Sequence, residues 1–123
     1  MLSIIIPARN EADNLRDIFN YFNTKLVNVN FEVLIINDFS DDNTLDSAKK
    51  LFDSNRSFKI FDNKRKGLGG AINLGIEKSS GNKIAIMMAD MSDHLEDLIQ
   101  YNKLMDENNI DAVFGSRFIQ GSK

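Results

Sequence analysis

Three short polar clusters stand out in the sequence, and each follows a run with the character of a buried strand. Pro7-Ala8-Arg9-Asn10-Glu11 follows residues 2–6. Asn37-Asp38 follows residues 31–36. Asp90-Met91-Ser92-Asp93 follows residues 83–89. Acidic groups gathered at one edge of a sheet repel one another unless a cation or a donor-rich ligand joins them. Asp38 offers acceptors to a base or a ribose. Asp90 and Asp93 offer oxygen ligands to a hard divalent ion bridging two phosphates. A basic stretch, Lys64-Arg65-Lys66, runs directly into Gly67-Leu68-Gly69-Gly70. It either faces a diphosphate or forms a solvated turn whose glycines permit tight geometry.

Each residue also has a plainer role. Asp93 precedes an apolar helical pattern and fits a helix cap, and Asp90 fits the same role less well. Asp41 and Asp42 suit the start of the second helix better than a ligand. Glu11 alone suits the positive end of the first helix. Convergence of the clusters at one crevice is what favours a site. The glycine stretch is not Gly-x-x-x-x-Gly-Lys, because its lysine precedes the glycines. Nor is it Gly-x-Gly-x-x-Gly, because Asn73 takes the last glycine position and the loop follows the third strand. This argues against a P-loop NTPase and an ordinary NAD enzyme. His94 reads as a surface residue at a helix start, and no Ser-His-Asp grouping has a plausible context.

The elements that must position these residues alternate. Residues 2–6 form a strand buried on both faces and stopped by Pro7. Asn10-Glu11-Ala12-Asp13 signals a helix start, and Leu15, Ile18, Phe19, Phe22 and Leu26 share one face. Residues 31–36 form the second strand, and a helix carrying Leu45, Ala48 and Phe52 follows. Phe58, Ile60 and Phe61 mark a weaker third strand. Leu68, Ile72 and Ile76 mark the next helix, in which Gly75 allows close packing on the sheet. Residues 83–89 form the fourth strand. Leu95, Leu98, Ile99 and Met105 mark a further helix, and residues 111–114 a fifth strand. Strands alternating with amphipathic helices specify an α/β, Rossmann-like doubly wound, mostly parallel sheet. A strand order of 3-2-1-4-5 puts the ligand crevice at the carboxyl ends of strands one and four.

Composition bounds the function. The 123 residues suit one domain, with 42% hydrophobic and 27% charged residues. Lys plus Arg is 15 and Asp plus Glu is 18, for a net charge of −3. Nucleic-acid modules carry a basic surplus, so DNA and RNA are not expected partners. With no Cys and one His, any metal must rest on carboxylates, which favours Mg²⁺ or Mn²⁺. The N-terminus has no basic region, and its apolar run is too short for a signal peptide or a membrane span. A cytoplasmic protein is expected on that reading.

Four segments, taken together, resemble the N-terminal part of a family 2 glycosyltransferase with the GT-A fold. Ser3-Ile4-Ile5-Ile6-Pro7-Ala8-Arg9-Asn10-Glu11 resembles its opening strand and turn. Ile35-Ile36-Asn37-Asp38-Phe39-Ser40-Asp41-Asp42-Asn43-Thr44 resembles its Asp-Asp-Gly-Ser-x-Asp-x-Thr segment. Lys66-Gly67-Leu68-Gly69-Gly70-Ala71-Ile72-Asn73-Leu74-Gly75 resembles its glycine-rich loop and helix. Met88-Ala89-Asp90-Met91-Ser92-Asp93 resembles its Asp-x-Asp region, and beyond these four Gly115-Ser116-Arg117-Phe118 resembles a later stretch. Three positions depart from the pattern. Asn37 stands for an Asp, Phe39 for a Gly, and Met88 for the first Asp of Asp-x-Asp.

The resemblance implies that Pro7, Glu11 and Asp38 line a nucleotide pocket. It also implies that Asp90 contacts the metal and Arg117 lies near the phosphates. The full candidate set is Pro7, Arg9, Glu11, Asp38, Lys66 and Gly67 for the donor, Asp90 and Asp93 for Mg²⁺ or Mn²⁺, and Asp90 with Arg117 for catalysis. The closest flavour is the polyprenyl-phosphate sugar transferases. That implies hexose transfer from a GDP- or UDP-sugar to a lipid phosphate or a glycan, in cell-envelope glycan biosynthesis. Residues 1–123 are expected to be the donor-binding domain without the acceptor-binding part. A peripheral membrane location through that part and a homodimer through exposed apolar surface are expected with it. The alternative is a nucleotide-sugar-binding module that catalyses nothing. A nucleotidyltransferase would want a glycine-rich loop straight after strand one, and Ala8-Arg9-Asn10 offers none.

Overall fold

A computed structural model of the chain describes residues 1–53, 55–89, 100, 103 and 104. The expected fourth helix and fifth strand lie outside the described residues, as do Asp90, Asp93, His94 and Arg117. The described elements are β1 (Leu2–Ala8), α1 (Leu15–Lys25), β2 (Phe31–Asn37), α2 (Thr44–Phe52), β3 (Phe58–Asp62), α3 (Leu68–Lys78) and β4 (Lys83–Ile86). All pairings are parallel, in the order β3-β2-β1-β4. This is the doubly wound order expected for the first four strands.

The sheet is buried from both sides because its strands carry apolar residues at both parities. Leu2, Ile4, Ile6 and Ala8 of β1, with Val33 and Ile35 of β2, pack under α1 and α2. Ile5 of β1, with Leu34 and Ile36 of β2, packs against Ala71 of α3 on the other face. Such continuous apolar runs mark strands covered on both faces. Phe19, Phe52 and Phe58 form a ring cluster under the first face, with centroids 4.7 to 5.8 Å apart.

Pro7 does not end β1, which continues to Ala8. The correction has a physical reason. Neighbouring residues of a strand bond to opposite sides. Ala8 bonds toward β2, accepting from the Asp38 N–H at 2.8 Å. Ile5 bonds toward β4, accepting from the Met87 N–H at 3.0 Å. Pro7 shares the parity of Ile5, so the donor it lacks is one that would face β4. The β1–β2 ladder survives, with Pro7 opposite Ile36 and Ala8 opposite Asn37. The β1–β4 ladder closes at Ile5 and Ile86, so β4 is shorter than residues 83–89.

Two helix readings also shift. The start of α1 moves to Leu15, because Ala12–Asn14 forms a 3₁₀ turn first. In α3 the buried residues are Ala71 and Gly75, while Leu68 and Ile76 are exposed. Small residues win that face because the helix lies close against β1. A Cβ on Gly75 would run into Ile5 Cγ2 and stand 3.0 Å from Cγ1 and Cδ1. Among the described residues no helix is long and apolar enough to cross a membrane.

Candidate functional site

The carboxyl ends of β1, β2 and β3 finish level. Ala8 lies opposite Asn37, and Asn37 opposite Asp62. The polar residues that follow therefore arrive together at one edge. Asn63 donates its N–H to Asn37 O at 2.9 Å, continuing the ladder one residue past β3. Asn37 Nδ2 donates to Asp62 Oδ1 at 2.9 Å.

The loops after β1 and β2 lock into each other. Asn10 adopts φ 56°, a left-handed conformation that Asn tolerates. Its Oδ1 accepts from the Asp41 N–H at 2.7 Å and the Asp42 N–H at 3.3 Å. Its own N–H donates to Ser40 Oγ at 3.0 Å, and Ser40 Oγ donates to Asn37 Oδ1 at 2.5 Å. Asp42, rather than Asp41, engages the start of α2, accepting from the Thr44 N–H at 3.0 Å and from the Thr44 hydroxyl. Those bonds hold its carboxyl below the ordinary value.

Asp38 is tied to the third loop. Its Oδ1 accepts from Gly67 N–H at 3.0 Å and from Asn63 Nδ2 at 2.9 Å. Burial acts to raise its pKa. The Gly67 and Asn63 bonds outweigh that, the charges of Arg9 and Lys66 add to them, and the net shift is downward. The linkage has a definite sign. A carboxyl depressed on folding contributes stability above its unfolded value of about 4, and loses it as pH falls through the folded value. Asp38 is thus an anion at neutral pH, flanked by two cations.

Gly67 can occupy its position because φ is 116°, a region side chains rarely adopt. It opens α3, where the Ala71 N–H donates to Gly67 O at 3.1 Å. Gly70 is required for space, since a Cβ there would strike the Arg65 carbonyl. The loop closes on Asn63, whose Nδ2 also donates to Arg65 O at 2.6 Å and Gly67 O at 3.3 Å.

The structure brings Arg9, Asp38, Lys66 and Gly67 to one place. Pro7 is buried one residue below the edge, inside β1. Glu11 is half-buried at the mouth of the same loop, and its Oε1 accepts from Asn14 Nδ2 at 2.6 Å. Its N–H donates to Thr44 Oγ1 at 3.1 Å. The residues that sequence reasoning missed are Asp62 and above all Asn63, which the structure adds to the expected Asn37-Asp38 cluster. The available signal was position: Asn63 follows β3 as Asp38 follows β2.

Among the described residues no group of three or more His, Asp or Glu side chains could hold a metal ion. A groove of about 360 Å³ between α1 and α2 is lined by Ala12, Leu15, Arg16, Ser47, Lys50 and Leu51, none of them a candidate residue.

A parallel, doubly wound sheet with an anionic Asp and a glycine loop at its carboxyl edge is the architecture of α/β domains that place their ligands where strands end. The chain belongs to glycosyl transferase family 2, whose sequence profile matches residues 3–123. It is 33% identical over 124 residues to the dolichol-phosphate mannosyltransferase of Pyrococcus furiosus, covering 99% of this chain and 34% of that protein. It is 29% identical over 117 residues to glycosyltransferase AglE of Haloferax volcanii, covering 94% and 38%. The chain thus spans about a third of the length of these relatives. Two solved structures share the fold. The mannosyltransferase PcManGT of Pyrobaculum calidifontis, in complex with GDP-Man and Mn²⁺, superposes with a TM-score of 0.72 at 18% identity, covering 85% of this chain and 32% of that one. TarS 1-349 of S. aureus, in complex with UDP-GlcNAc, gives 0.72 at 20% identity, covering 97% and 38%.

Proposed function

We propose that this chain is the donor-binding part of a glycosyltransferase that moves a hexose from a GDP- or UDP-sugar to an acceptor, with a polyprenyl phosphate as the favoured acceptor. The supporting observation is the Asp38 carboxylate fixed at the sheet edge by Gly67 and Asn63, where the charges of Arg9 and Lys66 also act on it, in a chain of this family. Asp38 and Glu11 accept hydrogen bonds from the base and ribose. Arg9 and Lys66 balance the diphosphate, and Gly67 lets the backbone approach it. Arg117 adds positive charge where the leaving nucleoside diphosphate gathers negative charge. The acceptor oxygen forms a bond to the anomeric carbon as the bond to the diphosphate breaks, and the diphosphate departs with the electron pair. An ionised lipid phosphate needs no base for this step.

Asp90 and Asp93 supply carboxylate oxygens, which fit Mg²⁺ or Mn²⁺. Such an ion, when bound, neutralises charge on the diphosphate. The test is Asp90→Ala, which is expected to abolish Mn²⁺-dependent affinity for GDP and UDP by calorimetry. Unchanged affinity would remove the metal assignment. A second reading is a module that binds the nucleotide sugar and catalyses nothing, favoured by Met88 at the position of the family's first metal-binding Asp. Release of free hexose from GDP-mannose or UDP-GlcNAc by the purified protein separates the two. A cytoplasmic location belongs to the same proposal. So does a homodimer, supported by the apolar exposure of Leu68, Ile76 and Ile86. A monomer by light scattering would count against it.

A further inference from the structure

Phe39 is placed oddly for a core-forming residue. It follows Asp38 directly, is 46% exposed, and adopts φ 56°. Among the described residues its ring has no aromatic or cationic partner. Left-handed backbone is strained for a bulky side chain and natural for Gly or Asn. The turn imposes that conformation. Asn37 Oδ1, Ser40 Oγ and the Asn10 N–H form a hydrogen-bonded chain that fixes both sides of residue 39. Folding alone would therefore favour a glycine here. A phenyl ring stands at a strained, half-exposed position next to a fixed anion, with no aromatic or cationic partner among the described residues to offset the strain.

We infer that Phe39 is a stacking platform for the base of the bound nucleotide, resting on the nucleotide-binding reading above. The chemistry around it divides a nucleotide cleanly. Arg9 and Lys66 carry the charge that phosphates need, and Asp38 accepts from base or ribose donors. The flat apolar face left over suits a flat apolar ligand face, and every base has one. Stacking tolerates any base, so Phe39 supplies affinity, while the hydrogen bonds at Asp38 select among bases.

The test exploits two features of the chain. Gly suits φ 56°, so Phe39→Gly relieves strain, and its melting temperature is expected to hold or rise. Its affinity for GDP and for UDP, by calorimetry, is expected to fall roughly tenfold or more, as for loss of one base–aromatic contact. The chain contains no Trp, so Phe39→Trp installs a sole reporter. Its fluorescence is expected to be quenched by GDP and UDP, with affinity restored to the wild-type level. Wild-type affinity in Phe39→Gly overturns the inference alone. A wild-type protein that binds neither nucleotide overturns the nucleotide-binding reading and this inference with it. Loss of binding to anionic phospholipid vesicles in Phe39→Gly, with nucleotide affinity unchanged, would assign the ring to a membrane surface and also overturn the inference.

Discussion

Asn63→Ala should uncouple the loop between β3 and α3 from the sheet edge. Asn63 is 7% exposed and joins four groups: Asp38 Oδ1, Arg65 O, Gly67 O and the Arg65 N–H. The bond to the charged Asp38 is the strong one, worth about 1.5–3 kcal/mol. The three backbone bonds are worth less, because Lys64, Arg65 and Lys66 are exposed and water reaches that side of the loop. A net loss of about 2–3 kcal/mol follows, since bonds sharing one amide do not add. For a domain of this size that lowers the melting temperature by roughly 10 °C. Gly67 depends on the same amide and supplies the other donor to Asp38. GDP and UDP affinity should therefore fall by about tenfold, equivalent to ~1.4 kcal/mol. The decisive assay is a double-mutant cycle of Asn63→Ala with Asp38→Ala, read by urea unfolding. A coupling energy of about 1.5 kcal/mol is expected. A coupling below about 0.5 kcal/mol, or a melting temperature within about 2 °C of wild type, would refute the reasoning.

Three further predictions concern the frame. Glu32 is buried at the other end of the sheet and accepts from Lys59 Nζ at 2.8 Å, Ser3 Oγ at 2.7 Å and the Ser80 N–H at 2.6 Å. Burial acts to raise its pKa, but the bonds from Lys59, Ser3 and Ser80 prevail and lower it. Glu32→Gln should therefore lose about 2 kcal/mol at pH 7 by thermal melting, with the half-exposed Lys59 contributing little of it. The deficit should shrink as pH falls from the ordinary glutamate range through the lower folded value of Glu32, where the wild-type carboxylate takes up its proton; a deficit independent of pH would exclude the charge as its source. Gly75→Ala should destabilise by about 1–2 kcal/mol, because overpacking against Ile5 exceeds the helix-propensity gain. Gly69→Ala meets nothing within 4 Å and should stabilise by up to about 1 kcal/mol in the same unfolding assay.

The sequence alone determined the elements from the first strand to the fourth and their order. Apolar runs at both parities of residues 2–6 and 31–36 allow only a strand covered on two faces, and alternation with helices then dictates a parallel, doubly wound sheet. The meeting of Asp38 with the Lys66-Gly67 loop at the sheet edge was legible for the same reason, since whatever follows a strand of such a sheet arrives at its carboxyl end. Register and local hydrogen bonding were not legible. Whether Pro7 ends a strand depends on which neighbour its missing donor faces. Which side of α3 is buried depends on how closely it meets Ile5, and a fourfold spacing of Leu68, Ile72 and Ile76 carries no such distance. Asn63 was not singled out in the sequence, because an amide has no preference of its own that reveals its partners. Only the alignment of β2 with β3 put it beside Asp38, and that pairing joins residues 25 apart in the chain.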